Sequence, residues 1–187
     1  MHDAAVGFPA LLPEAREAMA EAIRAARAEG DSLGGAVEVF ATGVPAGLGD
    51  PIFSGFESHF ASLCYGIPAV KAVEFGAGPD FAYLRGSQAN DCFCWRAGKI
   101  ATETNHTGGV NGGITNGMPL AVRVAFRPTP SISREQETVN LEGGAVRLAI
   151  KGRHDPCIVP RALPVVEAAL ALPIMDCMLE DASDAIG

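Results

Sequence analysis

The chain has 187 residues, 48% of them apolar, which suits one domain or a large part of one with a sizeable core. Its formal charge of −8, from 14 basic and 22 acidic residues, excludes wholesale nucleic-acid binding but leaves room for a small anion site built from a few local cations. No unbroken apolar stretch approaches the ~18 residues of a membrane span, and no cationic segment precedes an apolar run at the N-terminus, so a soluble cytoplasmic protein is the expectation.

Leu12 to Glu29 reads as a helix, with Pro13 in the first turn and Ala15, Met19, Ile23 and Ala26 recurring every three or four residues. Gly30 stops it. Ala36 to Thr42 switches to period two, with Val37, Val39 and Ala41 on one side and Glu38, Phe40 and Thr42 on the other. Gly43 to Pro51 is a structured loop. Phe53 to Cys64 reads as a helix carrying Phe56, Phe60 and Leu63 on one face, and His59 beside them is packed or partly exposed. Ala69 to Phe75 is a strand with a lone cation, Lys71, that snorkels or serves a site.

Gly86 to Phe93 is a short helix or turn, in which Asp91 is expected to pair with Arg85 or Arg96. Arg96 to Lys99 is a hairpin turn. Leu120 to Phe126 and Ala145 to Ile150 are further strands. Pro160 to Glu180 is a long apolar helix, and its interior Pro173 predicts a kink or break near Leu172. The pattern indicates an α+β fold with antiparallel sheet and packed helices, in a single domain or partial domain over 1–187. Five cysteines at irregular spacing make a poor disulfide framework. Cys92 and Cys94 are half a metal site without a second pair, so incidental or buried thiols are favoured and no metal is expected.

Three segments bear chemistry. Asn105 to Gly117 holds five glycines, so its backbone can approach a ligand and turn N–H groups toward anions, or it is a glycine-rich surface loop. It matches neither the Walker pattern nor a dinucleotide fingerprint. Arg127-Pro128-Thr129-Pro130-Ser131 is a proline-stiffened run of donors suited to a phosphate or a flavin edge, or a solvated turn. Lys151 to Cys157 places two cations, His154 and Asp155 ahead of a proline. Arg153 can clamp an oxyanion and Asp155 or His154 can move a proton, or the run caps the next helix.

In combination these segments narrow the choice. DSLGG from Asp31, GVPAGLGDPIF from Gly43, IPAVKAVEFGAG from Ile67 and GSQAND from Gly86 are followed, in order, by TNHTGGVNGGITNGMP, RPTPSI and GRHDPCIVPRALPVVEA. From about Pro13 to Leu179 the chain resembles the C-terminal half of chorismate synthase.

That resemblance implies part of a β-α-β sandwich and a lyase that converts 5-enolpyruvylshikimate 3-phosphate to chorismate and phosphate by 1,4-elimination. The family is a flavoprotein of the shikimate pathway and aromatic amino acid biosynthesis. It needs reduced FMN without net redox change, has an NADP connection, and assembles as a homotetramer. By the same resemblance, flavin contacts fall on Pro68, Ala69, Gly112, Arg127, Pro128, Thr129, Pro130, Ser131 and Arg153. Arg153 also meets substrate anion, and Asp155 assists proton removal. The family's N-terminal Glu-Ser-His-Gly core and second catalytic histidine are absent, and Arg127 replaces a usual lysine. The expectation is therefore a chain inactive alone, working with a missing N-terminal half or a full-length copy. The alternative is a non-catalytic FMN-binding or assembly module, or split subunit, derived from that enzyme. No nucleic acid or membrane partner is expected.

Overall fold

A computed structural model describes residues 10 and 12–184, so His2 lies outside the described residues. The elements, in chain order, are α1 (Pro13–Ala28), β1 (Gly35–Ala41), α2 (Phe56–Gly66), β2 (Val70–Phe75), a 3-10 turn at Gly78–Tyr83, α3 (Gly86–Ala89), β3 (Phe93–Arg96) and β4 (Lys99–Thr102). They continue with β5 (Val110–Asn111), β6 (Ile114–Thr115), β7 (Leu120–Phe126), β8 (Gln136–Val139), β9 (Ala145–Leu148) and α4 (Val159–Asp184). This is the expected α+β arrangement. The chain divides into two compact units, one of Met1–Gly35 with Phe126–Leu163 and one of Ala36–Ala125 with Pro164–Gly187.

The second unit is organised on a three-stranded sheet of order β1-β7-β2. Strand β7 alternates, burying Leu120, Val122, Val124 and Phe126 while Arg123 faces water. Val37 is buried in β1 with Glu38 and Phe40 exposed, as the period-two reading requires. Helix α2 buries Phe56, Phe60 and Cys64. Both of its phenylalanine rings meet Phe75 of β2 edge-on, at centroid separations of 6.5 and 5.6 Å, the arrangement aromatic quadrupoles favour. The helix begins three residues later than its apolar spacing predicts. Phe53 has φ 55 and is 95% exposed, so the chain enters α2 through a loop.

Helix α4 runs unbroken through Pro173, against the expectation of a break near Leu172. Proline removes one backbone donor, but Pro173 is fully buried and lies in the stripe of Ala162, Val166, Ala169, Leu170 and Cys177. Its packing replaces what the missing hydrogen bond loses. The segment Val159–Ala182 is long and apolar enough to cross a membrane by length and composition. Strict apolar runs hide this, because Arg161, Glu167 and Asp176 interrupt the sequence without lowering its average much. One stripe of this helix is buried against the rest of the chain and its other side is exposed.

In the first unit, α1 buries only Ala26, and Met19 on its expected apolar face is exposed. Strands β8 and β9 form an antiparallel hairpin with Gln136 opposite Leu148 and Val139 opposite Ala145, and all eight strand residues are exposed. Strands β3, β4, β5, β6 and β8 do not read as strands in the sequence, although the expected Arg96–Lys99 hairpin turn joins the first two. They are two to four residues long, too short for a periodicity to declare itself.

Candidate functional site

In the first unit the segment after α1 gathers two of the three chemistry-bearing runs. The Ser32 hydroxyl donates to the Thr129 carbonyl at 2.7 Å. The next amide, of Leu33, donates to the Pro156 carbonyl at 2.7 Å. A Cβ on Gly34 would meet the Phe126 carbonyl at 2.6 Å and the Pro128 ring at 3.0 Å, so only glycine lets the two backbones come this close. Asp31 anchors the turn by accepting from the Ser32 amide and from Arg134 at 2.8 Å, and these bonds hold its carboxyl below the usual range. Arg127 to Ser131 and Arg153 to Pro156 are thus fastened to one short segment. The Thr129 hydroxyl is buried and has no hydrogen-bond partner.

The Arg153 side chain is exposed, with no hydrogen bond or ion pair among the described residues. His154 Nε2 lies 3.0 Å from the Ile150 carbonyl. Asp155 accepts from the Cys157 amide at 3.3 Å and faces Arg161 at 3.3 Å. These contacts stand at the start of α4, so the capping interpretation has a structural basis alongside the proton-moving one.

In the second unit, the glycine-rich segment docks against the Gly43–Pro51 loop. Thr115, fully buried, donates its hydroxyl to the Pro45 carbonyl at 2.7 Å and accepts from the Leu48 amide at 3.0 Å. A Cβ on Gly113 would meet the Asp50 carbonyl at 2.6 Å, and one on Gly76 would run into the His106 carbonyl. Most of these glycines therefore serve contact between backbones. Gly112 differs: it has φ 61, a Cβ there would meet nothing within 4 Å, and it lines a cleft of about 530 Å³ with Thr107, Asn111, Glu57, Glu74 and Phe81. Pro68 and Ala69 enter β2 away from that lining. Ala69 holds φ 74, a left-handed conformation rare outside glycine.

A second cleft, of about 480 Å³, is lined by Glu38, Glu74, His106 and Arg123 among others and contains no residue expected to bind or react. Arg123 lies there between Glu38 at 3.8 Å and Glu74 at 3.7 Å.

Asp91 is the residue the sequence misplaced. It pairs with neither Arg85 nor Arg96. One carboxylate oxygen accepts from the Thr104 hydroxyl at 2.6 Å and the His106 amide at 2.7 Å. The other accepts from the Thr107 amide and the Thr107 hydroxyl, both at 2.9 Å. Partial burial alone would raise its pKa, but the four bonds together outweigh this and hold it at about 2. No local signal announces the role, because the partners lie 13 to 16 residues away. The nearest clue is a carboxylate followed by a Thr-Asn-His-Thr cluster rich in donors. His59 is partly exposed and faces Asp176 at 3.6 Å. Burial pushes the Cys64 thiol up to about 11 and raises Cys157 and Cys177, as expected of packed thiols.

A family model described as chorismate synthase matches residues 3–179. The chorismate synthase of Thermococcus gammatolerans is 57% identical over 167 residues, covering 89% of this chain and 47% of that protein. Those of Methanocella arvoryzae and Opitutus terrae are 55% and 48% identical, over 88% and 85% of this chain and 45% and 44% of theirs. A crystal structure of chorismate synthase superposes with a TM-score of 0.74 at 36% identity, covering 91% of this chain and 44% of that one. The α+β fold matches that of this structure, which places the chain in the class of chorismate synthase-like proteins. The chain belongs to the chorismate synthase family, and it spans about half the length of the relatives it matches.

Proposed function

We infer that this chain supplies the C-terminal part of a cytoplasmic chorismate synthase of the shikimate pathway, eliminating phosphate from 5-enolpyruvylshikimate 3-phosphate with reduced FMN. The observation that carries this reading is the double tether of Ser32 and Leu33, which holds the donor run at Thr129 and the acidic run at Asp155 on one short segment. The unsatisfied Thr129 hydroxyl fits a flavin, because a buried donor without a partner costs about 1–3 kcal/mol unless a ligand atom accepts from it. Within the second unit, the open space over Gly112 and the left-handed Ala69 are features of the kind that collect at ligand-holding turns.

Reduced FMN, when bound, would supply electron density for the departure of phosphate without net redox change. The chain's own part is to hold and to move protons. Arg127, Thr129 and Ser131 would donate to the flavin, with Pro128 and Pro130 stiffening the run between them. Arg153, exposed and unpaired among the described residues, attracts the substrate's anionic groups. Asp155, which faces Arg161 at 3.3 Å, accepts the proton lost in the elimination. Five free thiols, Cys92 among them exposed, suit a reducing compartment.

The outer side of α4 supports a need for the rest of the family's architecture, on this polypeptide or another. Val165, Leu172, Met175 and Leu179 are between 46% and 64% exposed on it. A helix apolar on all sides is normally covered on all sides, and further copies in a tetramer would cover more.

The decisive experiment mixes this chain with the unmatched half of the Thermococcus gammatolerans relative, reduced FMN and substrate, and follows chorismate absorbance. Turnover by the mixture and by neither half alone is expected. A stable complex that binds FMN but forms no chorismate would sink the enzymatic reading and leave the binding-module alternative.

A further inference from the structure

We propose that Asp91 is the positioning residue of the glycine-rich wall: its carboxylate fixes Thr104 to Thr107 and, through them, the backbone that carries Gly112 along the cleft. The consequence for flavin rests on the reading above, but the clamp itself does not.

The geometry is a relay of backbone contacts. Asp91 collects four hydrogen bonds from three residues of the Thr104–Thr107 segment: Thr104, His106 and Thr107. The held residues pass the constraint on. The His106 carbonyl accepts from Ala77 at 2.7 Å, the Gly108 carbonyl from Ala121 at 3.1 Å, and the Gly109 carbonyl from Asn116 at 2.9 Å. The last of these reaches the β5–β6 hairpin, where Val110 faces Thr115 and Asn111 faces Ile114, with Gly112 at its tip. Thr107 and Gly112 line the same cleft. A residue holding Thr107 from behind thus sets one wall of that cleft without touching what the cleft binds.

The chemistry demands a carboxylate. Hydroxyls can rotate, but the amide N–H groups of His106 and Thr107 point at different oxygens of Asp91. In Asp91→Asn, whichever end carries the NH2 group faces one of these amides donor to donor. That amide is orphaned, and the turn opens to reach water. Asp91→Glu keeps both acceptor oxygens on a longer arm and is the conservative rescue.

The test is hydrogen exchange by mass spectrometry on this chain, wild type against Asp91→Asn and Asp91→Glu, with Thr104→Val as a gentler variant that removes one bond. Exchange is expected to rise at least tenfold in 104–107 and also in 108–116 for Asp91→Asn, about threefold for Thr104→Val, and less for Asp91→Glu. The β8–β9 hairpin should stay unchanged. A rise confined to 104–107, or none, overturns the proposal. A rise across the whole molecule in Asp91→Asn means global unfolding, and then Thr104→Val decides on the same criterion.

A second arm titrates FMN by its fluorescence, using the wild-type chain complexed with the relative's other half. Asp91→Asn is expected to weaken FMN binding at least tenfold, with Asp91→Glu restoring part of it. Unchanged FMN affinity alongside raised exchange overturns the positioning role. Wild type that fails to bind FMN refutes the flavin reading instead, and the exchange data alone then decide whether Asp91 sets this wall.

Discussion

The tripeptide Ala-Val-Arg occurs twice in this chain and meets opposite fates. In β7, Ala121-Val122-Arg123 sits in the middle strand of a sheet: Val122 is 3% exposed, and Arg123 lies between Glu38 and Glu74. In β9, Ala145-Val146-Arg147 sits in a two-stranded hairpin: Val146 is 39% exposed, and Arg147 lies between Glu135 and Glu137 at 3.7 Å each. The local sequence and the local ion-pair pattern are the same. What differs is the number of neighbouring strands and the presence of an aromatic layer. Burial is a property of surroundings, and a hairpin with only one ladder has few of them.

The largest effect that can break this contrast removes the aromatic layer of the second unit. Phe60 is completely buried and packs edge-on against Phe75. Phe60→Ala leaves a ring-sized cavity and should cost about 3–5 kcal/mol, read as a lowered urea midpoint. The loss should appear in exchange along β1, β7 and β2, with β8 and β9 unaffected. Equal loss in both units would mean that they unfold as one.

Next in size is the matched pair itself. Val122→Ala deletes two methyl groups from a closed environment and should cost about 2 kcal/mol. Val146→Ala deletes the same atoms from a half-open one and should stay within about 0.5 kcal/mol. Near-equal values from urea denaturation would show that the β8–β9 hairpin is covered in solution by something the chain does not itself supply.

How much of this was legible in the sequence follows from where each signal resides. Strand β7 could be read residue by residue, because its alternation and its burial come from the same period. Helix α2 was legible for the same reason, apart from the entry at Phe53, whereas α1 was legible as a helix but not in what it buries, and the Arg96–Lys99 turn was legible from its turn residues. The family motifs gave the kind of protein, and the structure agrees. Helix continuity across Pro173 was not legible, because the packing that outweighs a missing hydrogen bond is tertiary. Nor was the work of the glycines: Gly113 reads as a ligand-approach or loop residue, and Gly34 and Gly76 only as members of motifs, until the opposing backbone is seen. Of the expected site, the attachment of the runs at Thr129 and Asp155 to one segment depends on the Ser32 hydroxyl and the Leu33 amide, neither of which announces a tether in the sequence. Asp91 was assigned to arginines because nearby charges are visible in a sequence and distant amides are not.

The smallest effect separates the two regions by the chemistry of their clamps. The β8–β9 turn is closed by a neutral group: the Asn140 side-chain oxygen accepts from the Gly144 amide at 2.7 Å and the Glu142 amide at 3.1 Å. The Thr104–Thr107 turn is closed by an ionised one, Asp91. Its folded pKa of about 2 lies below the ordinary aspartate value of 3.8, so the folded state binds this proton less readily than the unfolded chain does. The stabilisation is therefore fully present above pH 3.8 and drains away as the pH falls toward 2, on the order of 1 kcal/mol once solvent screening is allowed for. Followed by NMR, the His106 and Thr107 amides should shift together with a midpoint near 2, while the Gly144 amide keeps its protection through the same range. If the two turns instead loosen together between pH 4 and 2, acid acts on the whole fold, and the carboxylate clamp has no separate hold on the glycine-rich wall.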